Sequence, residues 1–276
     1  MRVGLIQMTS NDVPADNLAA AAALIDRAAA QGAQLVLTPE VTNCLSSSRK
    51  HQNAVLHHEA EDPTLAGLRD VAARHGIWLL IGSLALKTTD PDGRFANRSF
   101  LIAPDGGIAA RYDKIHMFDV VLSETETYRE SDGFRPGDRA VVADAGDARL
   151  GMTVCYDLRF AYLHRALAQA GAQILSVPAA FAVPTGRAHW EVLLRARAIE
   201  TGCFVLAPAQ TGRHMGQDGR HRDTWGHALA VNPWGAVIAD AGVAPGVTCV
   251  DLDLAEVAQA RGKVPALTHD RPFAGP

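Results

Sequence analysis

One segment of the chain, residues 32–40, has the sequence Gly-Ala-Gln-Leu-Val-Leu-Thr-Pro-Glu. Its apolar centre has no polar interruption, which is typical of a strand buried on both faces in a sheet that helices cover. A helix is predicted just before it, over Asp16–Ala30, because Asp16 can cap the helix and Gly32 follows as a stop signal. The segment therefore favours an α/β fold.

A similar segment recurs in the second half of the chain, where residues 171–178 read Gly-Ala-Gln-Ile-Leu-Ser-Val-Pro. It also follows an Ala-rich predicted helix, over Tyr162–Ala170. The repetition indicates two related halves that share one core, and the alternative is a chance similarity between two strand entries. No linker rich in Gly, Ser or Pro divides the chain, so residues 1–276 are predicted to form a single domain.

The elements between these segments complete the α/β pattern. A helix is predicted over about Thr64–Arg74, with Gly76 as its stop, and an apolar strand over Ile77–Gly82. Two β-hairpins are predicted, one around the turn at residues 104–107 and one around the turn at residues 232–235. Because hairpins are antiparallel, they argue against an all-parallel β/α barrel.

The composition excludes several classes of protein. The 276 residues include 26 Lys and Arg against 30 Asp and Glu, a net charge of −4, which argues against nucleic-acid binding. No apolar run is long enough to span a membrane, and the N-terminus reads as a strand instead of a signal peptide. The four cysteines are widely spaced, so neither a disulfide scaffold nor a zinc finger is indicated. We expect a soluble, cytoplasmic protein whose partner is a small molecule.

Three polar residues follow β-rich runs and are candidates for chemistry. Cys155 follows the apolar run Leu150–Val154 and precedes a predicted helix, where N–H groups favour a thiolate and can hold an oxyanion. Glu40 ends the segment at residues 32–40, where a buried carboxylate must be paired or used, and Lys114 follows a hairpin strand. Each has an ordinary alternative, namely a packed thiol, a surface carboxylate and a solvated lysine. Taken one at a time, the residues leave these alternatives open.

Taken together, the sequences around these residues resemble the nitrilase, or carbon–nitrogen hydrolase, superfamily. The motifs are Pro39-Glu40, the segment Tyr-Asp-Lys-Ile-His-Met-Phe-Asp at residues 112–119, and Cys-Tyr-Asp-Leu-Arg-Phe at residues 155–160. The resemblance extends from residue 1 to about residue 272. It implies a four-layer α-β-β-α sandwich, in which two mixed six-stranded sheets pack face to face.

The resemblance also implies a catalytic triad of Glu40, Lys114 and Cys155 that needs no cofactor. Cys155 attacks an amide carbonyl after losing its proton to Glu40, the oxyanion is held by Lys114 and by the backbone N–H of Tyr156, and water hydrolyses the resulting thioester. A second catalytic glutamate, which orients the triad, is expected at Glu130. Its nearby competitors are Glu124 and Glu126.

Substrate recognition is expected close to the cysteine. A carboxylate on the substrate is expected to bind Arg159, because a planar guanidinium suits bidentate recognition, with Phe181 and Thr185 lining the pocket. An ion pair between Arg159 and Asp157 is the alternative. Residues 41–44 lack the aromatic side chain that the family pattern leads us to expect near the substrate mouth.

Residues 186–201 look like the small-amidase branch, which includes deaminated glutathione amidase and omega-amidase, and residues 209–214 are closer to the former. The expected activity is hydrolysis of the terminal amide of small carboxylate-bearing substrates, foremost deaminated glutathione, with release of ammonia and a role in metabolite repair. Alternatives are an omega-amidase acting on α-ketoglutaramate or α-ketosuccinamate, and a broader carbamoyl or amide hydrolase. A catalytically silent binding domain and a zinc amidohydrolase are alternatives from other classes. The resemblance also implies a homodimer or higher homo-oligomer.

The remaining chemistry-bearing residues have simpler interpretations. His214, His221 and Asp223 form the densest potential metal cluster, but the glycines between them predict a surface loop over residues 212–224, and no metal is expected. The other three cysteines are expected to be packed thiols. A stripe at helical spacing is expected to pack in the core or to form a dimer face; it consists of Trp190, Leu193, Leu194 and Arg197.

Overall fold

The computed structural model describes residues 1–124 and 127–275. Within them the helices are α1 (Pro14–Ala30), α2 (Arg49–Val55), α3 (Pro63–His75), α4 (Ala161–Gln169), α5 (Val183–Thr201) and α6 (Ala255–Lys263). The strands of the first half are β1 (Arg2–Met8), β2 (Leu35–Leu37), β3 (Trp78–Leu86), β4 (Phe95–Ile102), β5 (Ile108–Asp113), β6 (Asp119–Val121), β7 (Thr127–Arg129) and β8 (Phe134–Arg135). Those of the second half are β9 (Val141–Ala145), β10 (Ala148–Met152), β11 (Ile174–Ser176), β12 (Phe204–Ala207), β13 (Ala209–Met215), β14 (His221–Trp225), β15 (Leu229–Val231), β16 (Val237–Asp240) and β17 (Gly246–Asp251).

Two sheets contain the same six-strand arrangement. In the first sheet the order is β17-β1-β2-β3-β4-β5, with β1, β2 and β3 parallel and the outer strands antiparallel. In the second sheet the order is β9-β10-β11-β12-β15-β16, with β10, β11 and β12 parallel and the outer strands antiparallel. The predicted pair of mixed sheets is therefore confirmed, and the strand order that they share supports two related halves.

The first sheet also carries strands beyond the predicted six. It has nine strands within the described residues, because the hairpin β13–β14 extends it beside β1 and the short β8 pairs with β4. This hairpin contradicts the predicted surface loop over residues 212–224. Only the turn between the strands is loop-like, so its glycines mark a tight hairpin connection.

The two sheets pack face to face with helices outside them. Along β2, Leu35 and Leu37 face a core shared with residues of the second sheet, such as Leu150 and Ile174, whereas Val36 faces the helices α1 and α3. Alternate side chains of a strand point to opposite faces, so a strand between two apolar layers is apolar throughout. On the far side, α4 and α5 cover the second sheet. The α-β-β-α sandwich is thus the observed fold.

The predicted helices are confirmed, with changes at their ends. Helix α1 begins at Pro14, and its N-cap is Val13 without a side-chain bond, so the expected cap Asp16 lies inside the first turn instead. There its carboxylate still meets the positive end of the helix dipole. Helix α3 ends at Gly76 as predicted, in the left-handed conformation with φ of 62°. No helix within the described residues has the length and hydropathy needed to cross a membrane.

Candidate active site

The ends of three strands bring Glu40, Lys114 and Cys155 together. Glu40 follows β2, Lys114 directly follows β5, and Cys155 follows β10 at the start of a 3-10 turn over Cys155–Arg159. The exposed fractions of these residues are only 4%, 2% and 7%. Buried charges are costly unless they are paired, so the contacts of the two charged groups decide whether the cluster is stable.

The two halves approach each other closely at Gly82 in β3. A Cβ atom there would lie 2.0 Å from the carbonyl oxygen of Thr38 and 2.6 Å from Cβ of Pro178. Only glycine allows the chain before Glu40 and the chain after β11 to converge in this way. The repeated segments at residues 32–40 and 171–178 therefore end at one common site.

Both oxygens of the Glu40 carboxylate accept hydrogen bonds. Oε1 accepts from Nζ of Lys114 and from Nδ2 of Asn97, each at 2.9 Å. Oε2 accepts from the backbone N–H of Ala180 at 2.9 Å. The carboxylate is also close enough to the thiol of Cys155 that each group shifts the pKa of the other. These partners hold Glu40 beside the thiol in a fixed orientation.

Lys114 lies between two carboxylates. Its Nζ is 2.9 Å from Oε1 of Glu40, and 2.9 and 2.8 Å from the two oxygens of Glu130. Glu130 in turn accepts from the backbone N–H of Phe118 at 2.6 Å. The structure therefore places Glu130, and not the exposed Glu124, beside the lysine. The other competitor, Glu126, lies outside the described residues.

Cys155 has an unusual backbone conformation. Its φ is 49°, in the left-handed region that side chains other than glycine rarely adopt, and its N–H donates to the carbonyl of Pro178 at 2.9 Å. Tyr156 is the next residue of the 3-10 turn, and its N–H has no acceptor among the described residues. A free N–H beside the thiol can bind an anionic oxygen.

Asp157 joins the cysteine turn to the lysine segment. Its Oδ2 accepts from the Tyr112 hydroxyl at 2.6 Å and from the backbone N–H of Val154 at 2.9 Å. Its Oδ1 accepts from the backbone N–H of His116 at 3.0 Å and contacts Nδ1 of that histidine at 2.6 Å. Tyr112 and His116 flank Lys114, so one carboxylate aligns two parts of the site.

The electrostatics define the protonation state of the cluster. Burial by itself would raise the pKa of Glu40, but the charge and hydrogen bond of Lys114 hold that pKa below its usual range. Burial and the adjacent Glu40 charge raise the pKa of Cys155 well above that of a free thiol, against the opposing charge of Lys114. Burial would lower the pKa of Lys114, but Glu130 and Glu40 together raise it. The resting cluster is thus a carboxylate, an ammonium and a neutral thiol.

A cavity of about 500 Å³ opens onto this cluster. Of the predicted substrate-binding residues, Tyr156, Phe181 and Thr185 line it. Arg159 is not among the lining residues; its guanidinium carbon lies 5.9 Å from the ring centres of both Tyr156 and Phe181, and its Nη2 is 3.1 Å from Nδ1 of His189. The alternative ion pair with Asp157 is wrong, because Asp157 is occupied by Tyr112, Val154 and His116.

Sequence reasoning missed several polar residues of the site. Asn97 contacts both Glu40 and Glu130, at 2.9 and 3.3 Å, and Arg49 and Arg222 line the cavity. Asn97 lies in β4, where Arg98 and Ser99 follow it directly, so the sequence did not distinguish its amide from other polar residues. Arg49 and Arg222 lie in polar stretches, where no local pattern separates them from surface arginines.

The other predicted residues are not part of the cluster of Glu40, Lys114 and Cys155, although Cys44 lines the cavity. His214 is buried in the β13–β14 hairpin between Ser10 and Thr224, and burial lowers its pKa to about 4. No group of three His, Cys, Asp or Glu within the described residues is arranged to hold a metal ion. Cys44 and Cys203 are buried and Cys249 is half-buried. Three residues of the α5 stripe, Trp190, Leu194 and Arg197, are buried in the chain itself, so the stripe packs in the core.

The chain has clear relatives among known proteins. Residues 2–262 match the protein family described as Carbon-nitrogen hydrolase. A deaminated glutathione amidase from Yersinia enterocolitica is 42% identical over 270 residues, which cover 98% of this chain and 92% of that protein. The human omega-amidase NIT2 is 35% identical over 270 residues, which cover 98% of this chain and 95% of that protein. The crystal structure of the Caenorhabditis elegans NitFhit protein superimposes with a TM-score of 0.89 at 34% identity, covering 98% of this chain and 65% of that longer one.

Proposed function

The chain belongs to the carbon-nitrogen hydrolase family and is an amide-hydrolysing enzyme, and from this premise we propose that it cleaves deaminated glutathione through a thioester on Cys155. The observation that carries the proposal is that the hydrogen-bonded pair of Glu40 and Lys114 lines one cavity together with Cys155, and that all three residues are buried. A neutral thiol beside a carboxylate is a nucleophile with its general base in place. Glu130 has the role of orienting Lys114.

In the first step the Cys155 sulfur attacks the amide carbonyl carbon, and the thiol proton moves to Glu40. The carbonyl oxygen becomes an oxyanion, which is stabilised by the Lys114 ammonium and the backbone N–H of Tyr156. An ammonium carries three N–H groups; when one is directed to Glu40 and one is shared by the two oxygens of Glu130, a third is left for the oxyanion. When the carbon–nitrogen bond breaks, Glu40 returns the proton to the leaving nitrogen.

In the second step water hydrolyses the thioester. Glu40 takes a proton from the water, whose oxygen attacks the thioester carbon, and the same donors hold the second oxyanion. Collapse releases the acid, and the Cys155 sulfur recovers its proton from Glu40. One carboxylate therefore acts as base and acid in turn, and the low pKa of Glu40 keeps it ready as a base at neutral pH.

The expected leaving group needs correction for this substrate. In deaminated glutathione the scissile amide nitrogen belongs to the cysteine residue, so cysteinylglycine leaves and α-ketoglutarate is the acid product. Ammonia is the leaving group only for an ω-amide such as α-ketoglutaramate. The volume of about 500 Å³ supports the larger substrate, because pockets of about 300 to 1,000 Å³ enclose ligands of the size of a drug molecule.

Omega-amidase activity is the second candidate. The 35% identity to a protein named omega-amidase supports it, and Phe181 and Thr185, which the resemblance expects to line the substrate pocket, lie in the cavity wall. Arg159 remains the proposed partner of the acyl carboxylate. For that role its guanidinium would have to leave its contact with His189.

The test is a direct comparison of substrates. Purified enzyme is supplied with deaminated glutathione, α-ketoglutaramate and a carbamoyl amino acid, and α-ketoglutarate, cysteinylglycine and ammonia are quantified by mass spectrometry and enzymatic assay. We expect the highest kcat/KM with deaminated glutathione and a thioester mass on Cys155 after rapid quenching. Turnover of all three substrates no faster than with Cys155→Ala would refute the proposal.

Three broader features belong to the same proposal. We propose that residues 1–276 act as one domain in the cytoplasm and assemble into a homodimer or a larger homo-oligomer. Three large apolar side chains on and beside the outer face of α5 are exposed, namely Val192 at 67%, Ile199 at 57% and Trp234 at 59%. Light scattering behind size-exclusion chromatography tests the assembly, and a monomer at micromolar concentration would contradict it. Cell fractionation tests the location.

A further inference from the structure

Three arginines in the cavity wall, Arg49, Arg129 and Arg222, form no ion pair with a carboxylate within the described residues. Of these, Arg222 lies on β14. Its Nη2 donates to the carbonyl of Ala180 at 2.7 Å, its guanidinium carbon lies 5.2 Å from the ring centre of Tyr128, and its Nε is buried without an acceptor. Its charge helps to lower the pKa of Glu40, but the two side chains form no ion pair, so the guanidinium is held in place and can still bind an anion.

The contrast with a neighbour on the same hairpin is clear. Arg213 on β13 is exposed and pairs with Asp223 through two hydrogen bonds of 2.9 and 3.0 Å. Both arginines belong to the hairpin that extends the first sheet, but only Arg222 faces the cavity. Its lack of a counter-ion is therefore a property of its position and not of the hairpin.

Arg222 lies on the Glu40 side of the site. The main chain of Ala180 links them, since its N–H donates to Oε2 of Glu40 and its carbonyl accepts from Arg222. The proposed mechanism requires Glu40 to protonate the leaving nitrogen, so the leaving half of the substrate lies on this side of Cys155. Arg159, in contrast, lies beyond Tyr156 and Phe181.

From this arrangement we infer that Arg222 binds the carboxylate of the leaving amine, which in deaminated glutathione is the C-terminal carboxylate of cysteinylglycine. The inference rests on the proposed function and adds a subsite to it. A fixed guanidinium forms bidentate hydrogen bonds with a carboxylate, whereas an ammonia leaving group offers it no partner. Arg222 therefore selects amides whose amine half carries a carboxylate, and it separates the two candidate activities.

A positioning role is the competing explanation. Arg222 could act only through Ala180, by holding the backbone N–H that orients Glu40. That role would affect every substrate equally, because Glu40 takes part in both steps whatever the leaving group is. A role in binding the leaving carboxylate affects only substrates that carry this group.

The experiment compares wild type and Arg222→Gln on three substrates: deaminated glutathione, its analogue with a C-terminal glycinamide, and α-ketoglutaramate. We expect Arg222→Gln to lose about 10- to 100-fold in kcat/KM on deaminated glutathione, with changes of less than about threefold on the other two. Arg222→Lys should recover part of the loss. Arg213→Gln on the same hairpin is the matched control and should leave all three rates unchanged.

The other outcomes distinguish a failure of the Arg222 subsite from a failure of the proposed function. An equal loss on all three substrates, or no loss on any, overturns the inference while leaving the proposed function intact. If the wild type fails to cleave deaminated glutathione, the proposed function is wrong. The subsite is then tested by calorimetric binding of cysteinylglycine to wild type and Arg222→Gln, and equal affinities would overturn it as well.

Discussion

The two halves of this protein have the same strand order but contribute different chemistry. In the first half β2 leads into Glu40, and Asn97 and Lys114 come from the outer strands of the same sheet. In the second half the equivalent strand β11 leads into Pro178 and Ala180, which contribute only backbone groups. The carbonyl of Pro178 accepts from the N–H of Cys155, and the N–H of Ala180 donates to Glu40. Ionisable groups thus come mainly from one half, and the nucleophile and backbone donors come from the other. A duplicated framework therefore does not require a duplicated site.

The largest effect is expected from removing one chemical group of each half in turn. Cys155→Ala should abolish thioester formation, because it removes the nucleophile. Glu40→Gln should lower kcat by about 1,000-fold or more, because it removes the general base. Steady-state rates and intact-protein mass spectrometry measure both effects. Residual turnover of Cys155→Ala near the wild-type rate would contradict the assignment.

The same pair of variants tests how the halves act on each other. Burial and the negative charge of Glu40 raise the pKa of Cys155, and Lys114 opposes them. In Glu40→Gln the raising charge is gone and the lysine remains, so the thiol pKa should fall. Alkylation of Cys155 by iodoacetamide should therefore shift to lower pH in this variant while hydrolysis is lost. An unchanged alkylation profile would show that the two groups are not coupled.

An intermediate effect is expected from Asp157, which connects the halves. One oxygen of Asp157 accepts from the backbone N–H of Val154 and the other from that of His116. In Asp157→Asn an NH₂ group replaces one of these oxygens, so it points its own N–H at one of the two backbone N–H groups and that hydrogen bond is lost. We expect unfolding free energy to fall by about 2 kcal/mol or more and kcat/KM by about 10- to 100-fold. Denaturant titration and kinetics measure these changes. Asp144→Asn, at an exposed carboxylate of the second half, is the control and should change neither.

A smaller effect is expected from pH near neutrality. The pKa of Glu40 is lowered from the ordinary carboxylate value of 4.5. The stability that its pairing with Lys114 gives the fold is therefore fully present above pH 4.5, and it is lost only as the pH falls through the lowered pKa. The pKa of Lys114 is raised above the usual lysine value of 10.5. Its contribution to the stability of the fold is therefore fully present below pH 10.5, and it is lost only as the pH rises through the raised pKa. We expect kcat/KM to be flat from about pH 6 to about pH 8. An ionisation of the free enzyme within that range would contradict the proposed protonation state.

The smallest effect is expected from another cysteine of the second half. Cys203 is fully buried, and its thiol contacts the carbonyl of Ala172 at 3.3 Å, away from the cavity-lining residues. Cys203→Ala should leave kcat/KM within about twofold of wild type and lower unfolding free energy by about 1 kcal/mol through lost packing. Kinetics and denaturant titration check both, and a loss of activity comparable to that of Cys155→Ala would mean that the nucleophile is misassigned.

Much of the fold was predictable because it depends on local periodicity. The uninterrupted apolar runs at residues 32–40 and 171–178 predicted strands covered on both faces, and Gly76 marked the end of α3. The positive φ of Cys155 and the β13–β14 hairpin were not predicted. The first depends on long-range bonds such as that to Pro178, and the second was hidden by glycines that are equally typical of a loop.

Residue type and place in the chain were enough to select Glu40, Lys114 and Cys155, because each is a reactive side chain where an apolar run ends. Their partners could be found only from the folded chain. The N–H of Ala180 bonds Glu40 across 140 residues, and Arg222 and Asp157 look like ordinary surface charges in the sequence. A backbone donor has no sequence signature, and the energy of a charge depends on burial and on neighbours that only packing brings near.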